Sequence, residues 1–124
     1  MVKALFDTNV LIDYLNGIEA ADQELSRYAG KAISIISWME VMAGAVPDEE
    51  AAVRAWLLSF EVLALNEAIA ERAVAIRKAR RIRLPDAAIW ATAQAHGLLL
   101  VSRNTNDFPE TEPGVRVPYT LPRH

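Results

Sequence analysis

Val2 to Phe6 is a short apolar run that stops at the polar Asp7-Thr8-Asn9, and Val10, Leu11, Ile12 and Leu15 then recur at helical spacing until Asn16-Gly17. A strand followed by a helix is the reading this predicts. A second helix is expected from about Glu19 to Tyr28, a buried strand over Ala32 to Ile36, and a helix that starts at Ser37 and closes near Gly44. Asp48 is placed to cap a helix through Ser59, Glu61 to Leu65 reads as a brief strand, and Asn66 as the cap of a long helix to about Arg81. Pro85-Asp86 opens a further helix that runs to Gly97, with proline near its first turn and glycine just past its end. The uninterrupted run Leu98-Leu99-Leu100-Val101 suits a strand covered on both faces, and Val115 to Val117 adds a last short one. Strands that alternate with helices, and that lack apolar/polar alternation of their own, predict an α/β domain in three layers: a mainly parallel sheet of about five strands flanked by helices.

Length and composition narrow this further. With 124 residues, 52% of them hydrophobic, residues 1–124 form one domain with its own core. There is no cysteine, which removes thiol nucleophiles, thiolate zinc sites and disulfides. Asp7 cuts the first apolar run too short for a signal peptide, and Ser34, Ser37 and Glu40 interrupt the longest one, so a cytoplasmic protein with no membrane partner is expected. No repeat or linker precedes the irregular tail that holds Pro109, Pro113, Pro118 and Pro122. The formal charge of −3 argues weakly against binding polyanions. If four acids are gathered in one metal site, however, the rest of the chain is close to neutral.

In parallel sheets ligands bind beyond the carboxyl ends of the strands, and four acids are expected there. Asp7 follows the first strand, Glu40 lies in the helix after the second, Asp86 opens the helix before the fourth, and Asp107 lies in the loop after it. Hard cations such as Mg²⁺ or Mn²⁺ take oxygen ligands and retain several waters, so a few carboxylates suffice. Each acid also has an ordinary structural reading: Asp7 as a helix cap, Ser37-x-x-Glu40 as a capping box, Asp86 as a cap or dipole partner, and Asp107 as a turn residue. Their shared position at the strand ends is what those readings leave unexplained.

Asp7-Thr8-Asn9, Ser37-Trp38-Met39-Glu40 with Gly44, Leu84-Pro85-Asp86, and Leu100 to Phe108 with Ser102-Arg103-Asn104-Thr105-Asn106-Asp107, together resemble the PIN-domain family. More narrowly the chain resembles VapC-type toxins of bacterial toxin–antitoxin pairs, over nearly its whole length and including Pro113 to Val117. No one of these motifs is specific; the ordered set is. The resemblance implies an endoribonuclease that depends on Mg²⁺ or Mn²⁺. Asp7 and Asp86 would hold the metal, and Glu40 or Asp107 would orient or deprotonate the water or help hold a second ion. Thr8, Asn9, Ser102 and Asn104 would support those carboxylates. Many relatives carry an acid where this chain has Asn104, so either Asp107 or Asn104 lies nearer the metal. Hydrolysis by water would leave 5′-phosphate and 3′-hydroxyl ends. The resemblance further implies a homodimer and a VapB-like antitoxin whose tail wraps the domain and puts an arginine into the acid pocket.

Arg77, Lys78, Arg80, Arg81 and Arg83 put five bases in seven positions just before Leu84-Pro85-Asp86, which reads as a phosphate-binding edge for RNA, with Arg103 and Arg116 on the same rim. The plain alternative is a solvated helix end whose dipole favours cations. Trp38, Trp56 and Trp90 are expected to pack in the core or an interface, and Ala51, Val53, Trp56, Leu57 and Phe60 in the core or against a dimer or antitoxin partner. His96 and His124, both at ends, make a poor acid/base pair. Two other classes fit less well. A phosphoryl-accepting receiver domain needs an acid pair after its first strand and a late lysine, and a haloacid-dehalogenase-type phosphatase needs Asp-x-Asp; Asp7-Thr8-Asn9 supplies neither pair. A PIN-like RNA-processing nuclease, or a silent RNA-binding module, keeps the fold and drops the toxin.

Overall fold

A computed structural model describes residues 3–121; Val2, Pro122 and His124 lie outside them. Five strands, β1 (Lys3–Phe6), β2 (Gly30–Ser34), β3 (Glu61–Leu63), β4 (Leu99–Val101) and β5 (Val115–Arg116), form one sheet in the order β3-β2-β1-β4-β5. Every neighbouring pair is parallel. Six helices connect and cover them: α1 (Thr8–Leu15), α2 (Glu19–Ser26), α3 (Ile35–Gly44), α4 (Glu50–Leu57), α5 (Glu67–Arg80) and α6 (Leu84–Ala95).

The strands bury both faces, which is why they read as continuous apolar runs. Leu5, Ala32, Leu63 and Leu100 face one core with Ile69 and Ala73 of α5 and Ile89 and Trp90 of α6. Ala4, Phe6, Ile33 and Val101 face the other, which takes Val10 and Leu11 of α1, Leu25 of α2, Val41 of α3, and Val53 and Leu57 of α4. These are the three layers the sequence predicts. Val53, Leu57 and Phe60 are core residues, while Trp56 stacks on Tyr14 with ring centroids 4.7 Å apart. Trp90 is buried and Trp38 half-buried under Arg54.

Several boundaries differ, each for a local reason. Ser34, not Ser37, caps α3: its hydroxyl accepts from the Ile36 amide at 3.0 Å, so the helix starts one turn earlier. Ser37 is then a buried interior residue and the capping box with Glu40 does not form. Asp48 falls in a single 3₁₀ turn, Pro47–Glu49, and α4 begins after it without a side-chain cap. The second helix stops at Ser26, because Tyr28 turns into the core. β3 ends at Leu63 and β5 at Arg116, each shorter than expected. Asn66 caps α5 as predicted, accepting from Ile69 N at 2.8 Å, and Arg81 closes that helix in the left-handed region at φ 58°. In α1, Val10 and Leu11 point inward but Ile12 and Leu15 are about 40% exposed. The third inward residue is Asp13.

Candidate active site at the carboxyl edge of the sheet

Parallel pairing sends the carboxyl ends of all five strands to one edge, and the predicted residues collect there. Asp7 leaves β1 still paired with β4, its N–H donating to Val101 O at 2.9 Å, and caps α1 by accepting from Thr8 N at 2.8 Å. The ordinary reading of Asp7 as a cap is therefore true of one oxygen. The other, Oδ2, accepts from Ser102 Oγ at 2.7 Å and Asn9 Nδ2 at 3.2 Å. Ser102 enters from the end of β4, fully buried, and its oxygen also accepts from Asn9 Nδ2 (3.3 Å) and Asn104 N (3.0 Å). Thr8 turns the other way: its hydroxyl donates to Glu40 Oε1 at 2.6 Å and pairs with the Ser37 hydroxyl at 2.9 Å. Glu40, on the exposed side of α3, is thereby aimed at the same edge without capping anything.

Asp86 sits in the first turn of α6, 5% exposed, with Arg83 Nε at 3.2 Å from Oδ2. Pro85 near the start of α6 needs no amide partner, and no side chain caps the helix. The loop after β4 brings the remaining pair. Asn104 and Asp107 bond to each other twice, Asn104 Nδ2 to Asp107 Oδ2 at 3.0 Å and Asp107 N to Asn104 Oδ1 at 3.3 Å. Phe108, fully buried edge-on to Trp90 at 5.4 Å, anchors that loop in the core.

These carboxyls feel one another. Burial pushes Asp7 up from 3.8 to about 6, against the Ser102 and Thr8 hydrogen bonds, and the charges of Asp86 and Glu40 push the same way. Asp86 is raised too, first by burial and also by Asp107, while Arg83 opposes the rise. Two buried acids held among further acids favour a bound cation. Among the described residues no three acidic or histidine side chains close on a point as a ready-made metal cage. A small hard cation such as Mg²⁺ or Mn²⁺ is held by one or two carboxylates and keeps its waters, and the all-oxygen donor set of Asp7 and Asp86 fits it.

The predicted basic rim divides in two. Lys78 and Arg81 are exposed, and the Arg83 side chain is 76% exposed beside Asp86. Arg77 folds back to cap Ile82 O at 2.8 Å, and Arg80 pairs with Glu112 at 2.6 Å over the Trp90 ring. Arg103 and Arg116 turn their guanidinium groups inward. Arg103 grips Asp13 through Nε (2.6 Å) and one terminal nitrogen (3.0 Å), and Arg116 grips Glu24 in the same way at 2.7 and 3.0 Å. Burial would raise the Glu24 carboxyl, but the bonds from Arg116 and Tyr28 bring it below the usual range. His96 is an exposed helix end, away from this edge's network. Sequence reasoning passed over Asp13, Glu24, Tyr28 and Tyr119. The available signal was in α1, where three consecutive apolar residues, 10–12, are too many for one face beside the acid at 13.

A groove of about 590 Å³ runs beside the acids, lined by Ile12, Leu15, Val41, Val53 and Trp56, with Glu40 at its rim. No helix among the described residues is long and apolar enough to cross a membrane.

A parallel five-stranded sheet with acids from β1, α3, α6 and the β4–β5 loop at its carboxyl edge is the arrangement of a PIN domain, and the PIN domain family model matches residues 4–112. The chain belongs to that family. Within it, the chain is similar to ribonuclease VapC10 of Mycobacterium tuberculosis, 37% identical over 97% of this chain and 96% of the relative. Ribonuclease VapC4 of the same organism is 33% identical, over 86% of this chain and 88% of its own. Among solved structures, a toxin–antitoxin complex from Klebsiella pneumoniae superposes with a TM-score of 0.91 at 47% identity, covering 96% of this chain and all of its own. DNA-bound VapBC from Salmonella typhimurium gives 0.75 at 27% identity, over 94% and 96%.

Proposed function

We propose that this chain is the toxin of a toxin–antitoxin pair: an endoribonuclease that hydrolyses RNA phosphodiesters in the cytoplasm with Mg²⁺ or Mn²⁺. The observation that carries the reading is the pair of buried carboxyls, Asp7 and Asp86, drawn from distant parts of the sequence, each raised by burial and by an acidic neighbour. The relatives' names, ribonuclease and toxin–antitoxin complex, support the activity and the setting.

Asp7 and Asp86 would hold the cation, and Asn9 and Ser102 keep Asp7 Oδ2 in place for it. When bound, the cation supplies Lewis acidity, easing loss of a proton from water and offsetting charge that gathers on the phosphate oxygens. Glu40, steered by Thr8, orients the attacking water and takes its proton. Asp107, held by Asn104 Nδ2 and raising Asp86 from beside it, would complete the acidic wall as the fourth acid, with Asn104 as its support. Water rather than the ribose 2′-hydroxyl is the nucleophile, so the products carry 5′-phosphate and 3′-hydroxyl ends. Lys78, Arg81 and Arg83 meet the RNA backbone; Arg103 and Arg116 are committed elsewhere.

The apolar groove is the seat for a VapB-like antitoxin segment. Because Glu40 lines both groove and site, a segment lying there ends at the carboxylates, where an arginine competes with the cation. A homodimer accords with the family.

The test is cleavage of total RNA by the purified, antitoxin-free chain with Mg²⁺, Mn²⁺ or EDTA, with end-group analysis of the fragments. Metal-dependent fragments with 5′-phosphates, absent with Asp7→Asn, are expected. Cleavage that persists in EDTA, or 2′,3′-cyclic phosphate ends, overturns the mechanism.

A further inference from the structure

Asp13 is the one buried acid near the site that the proposed chemistry does not use. It lies on α1, six residues beyond the cap Asp7, 5% exposed, and both its oxygens are bonded. Arg103 takes both oxygens, Nε at 2.6 Å and a terminal nitrogen at 3.0 Å, and Tyr119 donates to Oδ2 at 2.8 Å. A carboxylate gripped by a planar fork fixes the position of that fork, and here the fork belongs to the residue between Ser102 and Asn104.

The backbone of Arg103 continues the chain of contacts. Its N–H donates to Asn9 Oδ1 at 3.2 Å, which decides which way the Asn9 amide faces. With Oδ1 so occupied, Asn9 Nδ2 is the end that meets Asp7 Oδ2 and Ser102 Oγ. Were the amide reversed, its oxygen would face the Asp7 carboxylate and repel it. The same loop carries Ser102, which donates to Asp7, and Asp107, which borders Asp86.

We infer that Asp13 is a positioning residue: by clamping Arg103 it sets the β4–β5 loop against α1, which orients Asn9 and Ser102 on Asp7 and holds Asp107 beside Asp86. The inference rests on the cation site proposed above. It extends that site by a layer and gives Arg103 a place within the protein rather than on the RNA. Tyr119 shares Asp13 Oδ2 and borders the Arg103 side chain, but it supplies neither arm of the fork, so its loss should disturb the loop least.

The two roles separate in a Mn²⁺ titration of wild type, Asp13→Asn, Arg103→Lys and Tyr119→Phe, read by Mn²⁺ electron paramagnetic resonance beside unfolding in EDTA. Asp13→Asn and Arg103→Lys, which spoil the fork, should weaken Mn²⁺ binding roughly tenfold or more, the range seen when outer supports of a metal ligand are lost. Tyr119→Phe should lower the melting temperature and leave Mn²⁺ affinity within about twofold. Arg103→Lys keeps the ion pair, so it reports on the fork even if Asp13→Asn does not fold. If the fork variants bind Mn²⁺ like wild type, or if Tyr119→Phe weakens binding as much as they do, the positioning role is overturned while the metal site stands. If wild type itself binds no Mn²⁺, the metal site falls and the inference with it.

Discussion

Replacing Asp7 by asparagine should make the metal-free protein more stable at pH 8, although the residue is buried, fully bonded and a helix cap. In the unfolded chain its carboxyl loses its proton near 3.8; in the fold it keeps it until about 6. Between those values the native state binds the extra proton, so its stability falls as pH rises and the deficit is complete above pH 6–7. A shift of roughly two units is worth about 3 kcal/mol. Asparagine removes that deficit and still caps α1 through its carbonyl oxygen. Its new amide nitrogen can accept from neither Ser102 nor Asn9, which costs about 1 kcal/mol. The net gain is about 2 kcal/mol at pH 8, and close to nothing or slightly negative near pH 4. Urea unfolding in EDTA at both values, followed by the fluorescence of the three tryptophans, measures it. A variant less stable than wild type at pH 8, or displaced equally at the two pH values, would mean that Asp7 is an ordinary cap whose carboxyl burial does not raise.

Mg²⁺ or Mn²⁺ should stabilise the wild type by about 2.7 kcal/mol at a hundredfold excess over its Kd, and Asp7→Asn and Asp86→Asn should abolish the effect in the same unfolding assay. Metal affinity should rise about tenfold per pH unit below pH 6, where binding must displace the Asp7 proton, and level off above it; calorimetry at pH 5, 6 and 7.5 checks this, and a flat profile contradicts it. Phe108→Ala empties a fully buried site against Trp90 and should cost roughly 3–5 kcal/mol in unfolding free energy. Arg116→Ala leaves Glu24 buried without its fork and should cost roughly 2–3 kcal/mol, less than a fully buried pair because Arg116 is part-exposed; a loss of RNA binding without a loss of stability would return Arg116 to the RNA rim.

The layers and the strand-end location of the acids were legible because both follow from periodicity alone. A strand buried on two faces must be apolar throughout, and a parallel sheet must send its strand ends one way. Cap assignments were less legible. Ser34 and Ser37 are both acceptable N-caps, and only the position of Thr8, 29 residues before Ser37, shows that Ser37 is needed inside. The two outlying cations of the rim were less legible in a similar manner: Arg103 and Arg116 look like surface cations in sequence, and their partners Asp13 and Glu24 lie 90 and 92 residues away. Periodicity carries no information at that range. Whether Asp107 or Asn104 lies nearer a cation was undecidable from sequence for another reason, since the two bond each other within one turn of the same loop.

The place of β1 in the middle of the sheet has a consequence for how the protein is made. Its first strand is the earliest synthesised, yet it pairs with β2 and with β4, and Leu5 meets Leu100 only when four-fifths of the chain exists. Contacts so distant in sequence form late. Asp7 and Glu40 emerge early, but Asp86, the Ser102 hydroxyl 95 residues from Asp7, and the Phe108 anchor come after. On the ribosome, therefore, the acidic edge proposed as the cleavage site is not assembled until Ser102 and Phe108 have been made, and a product terminated before them lacks it.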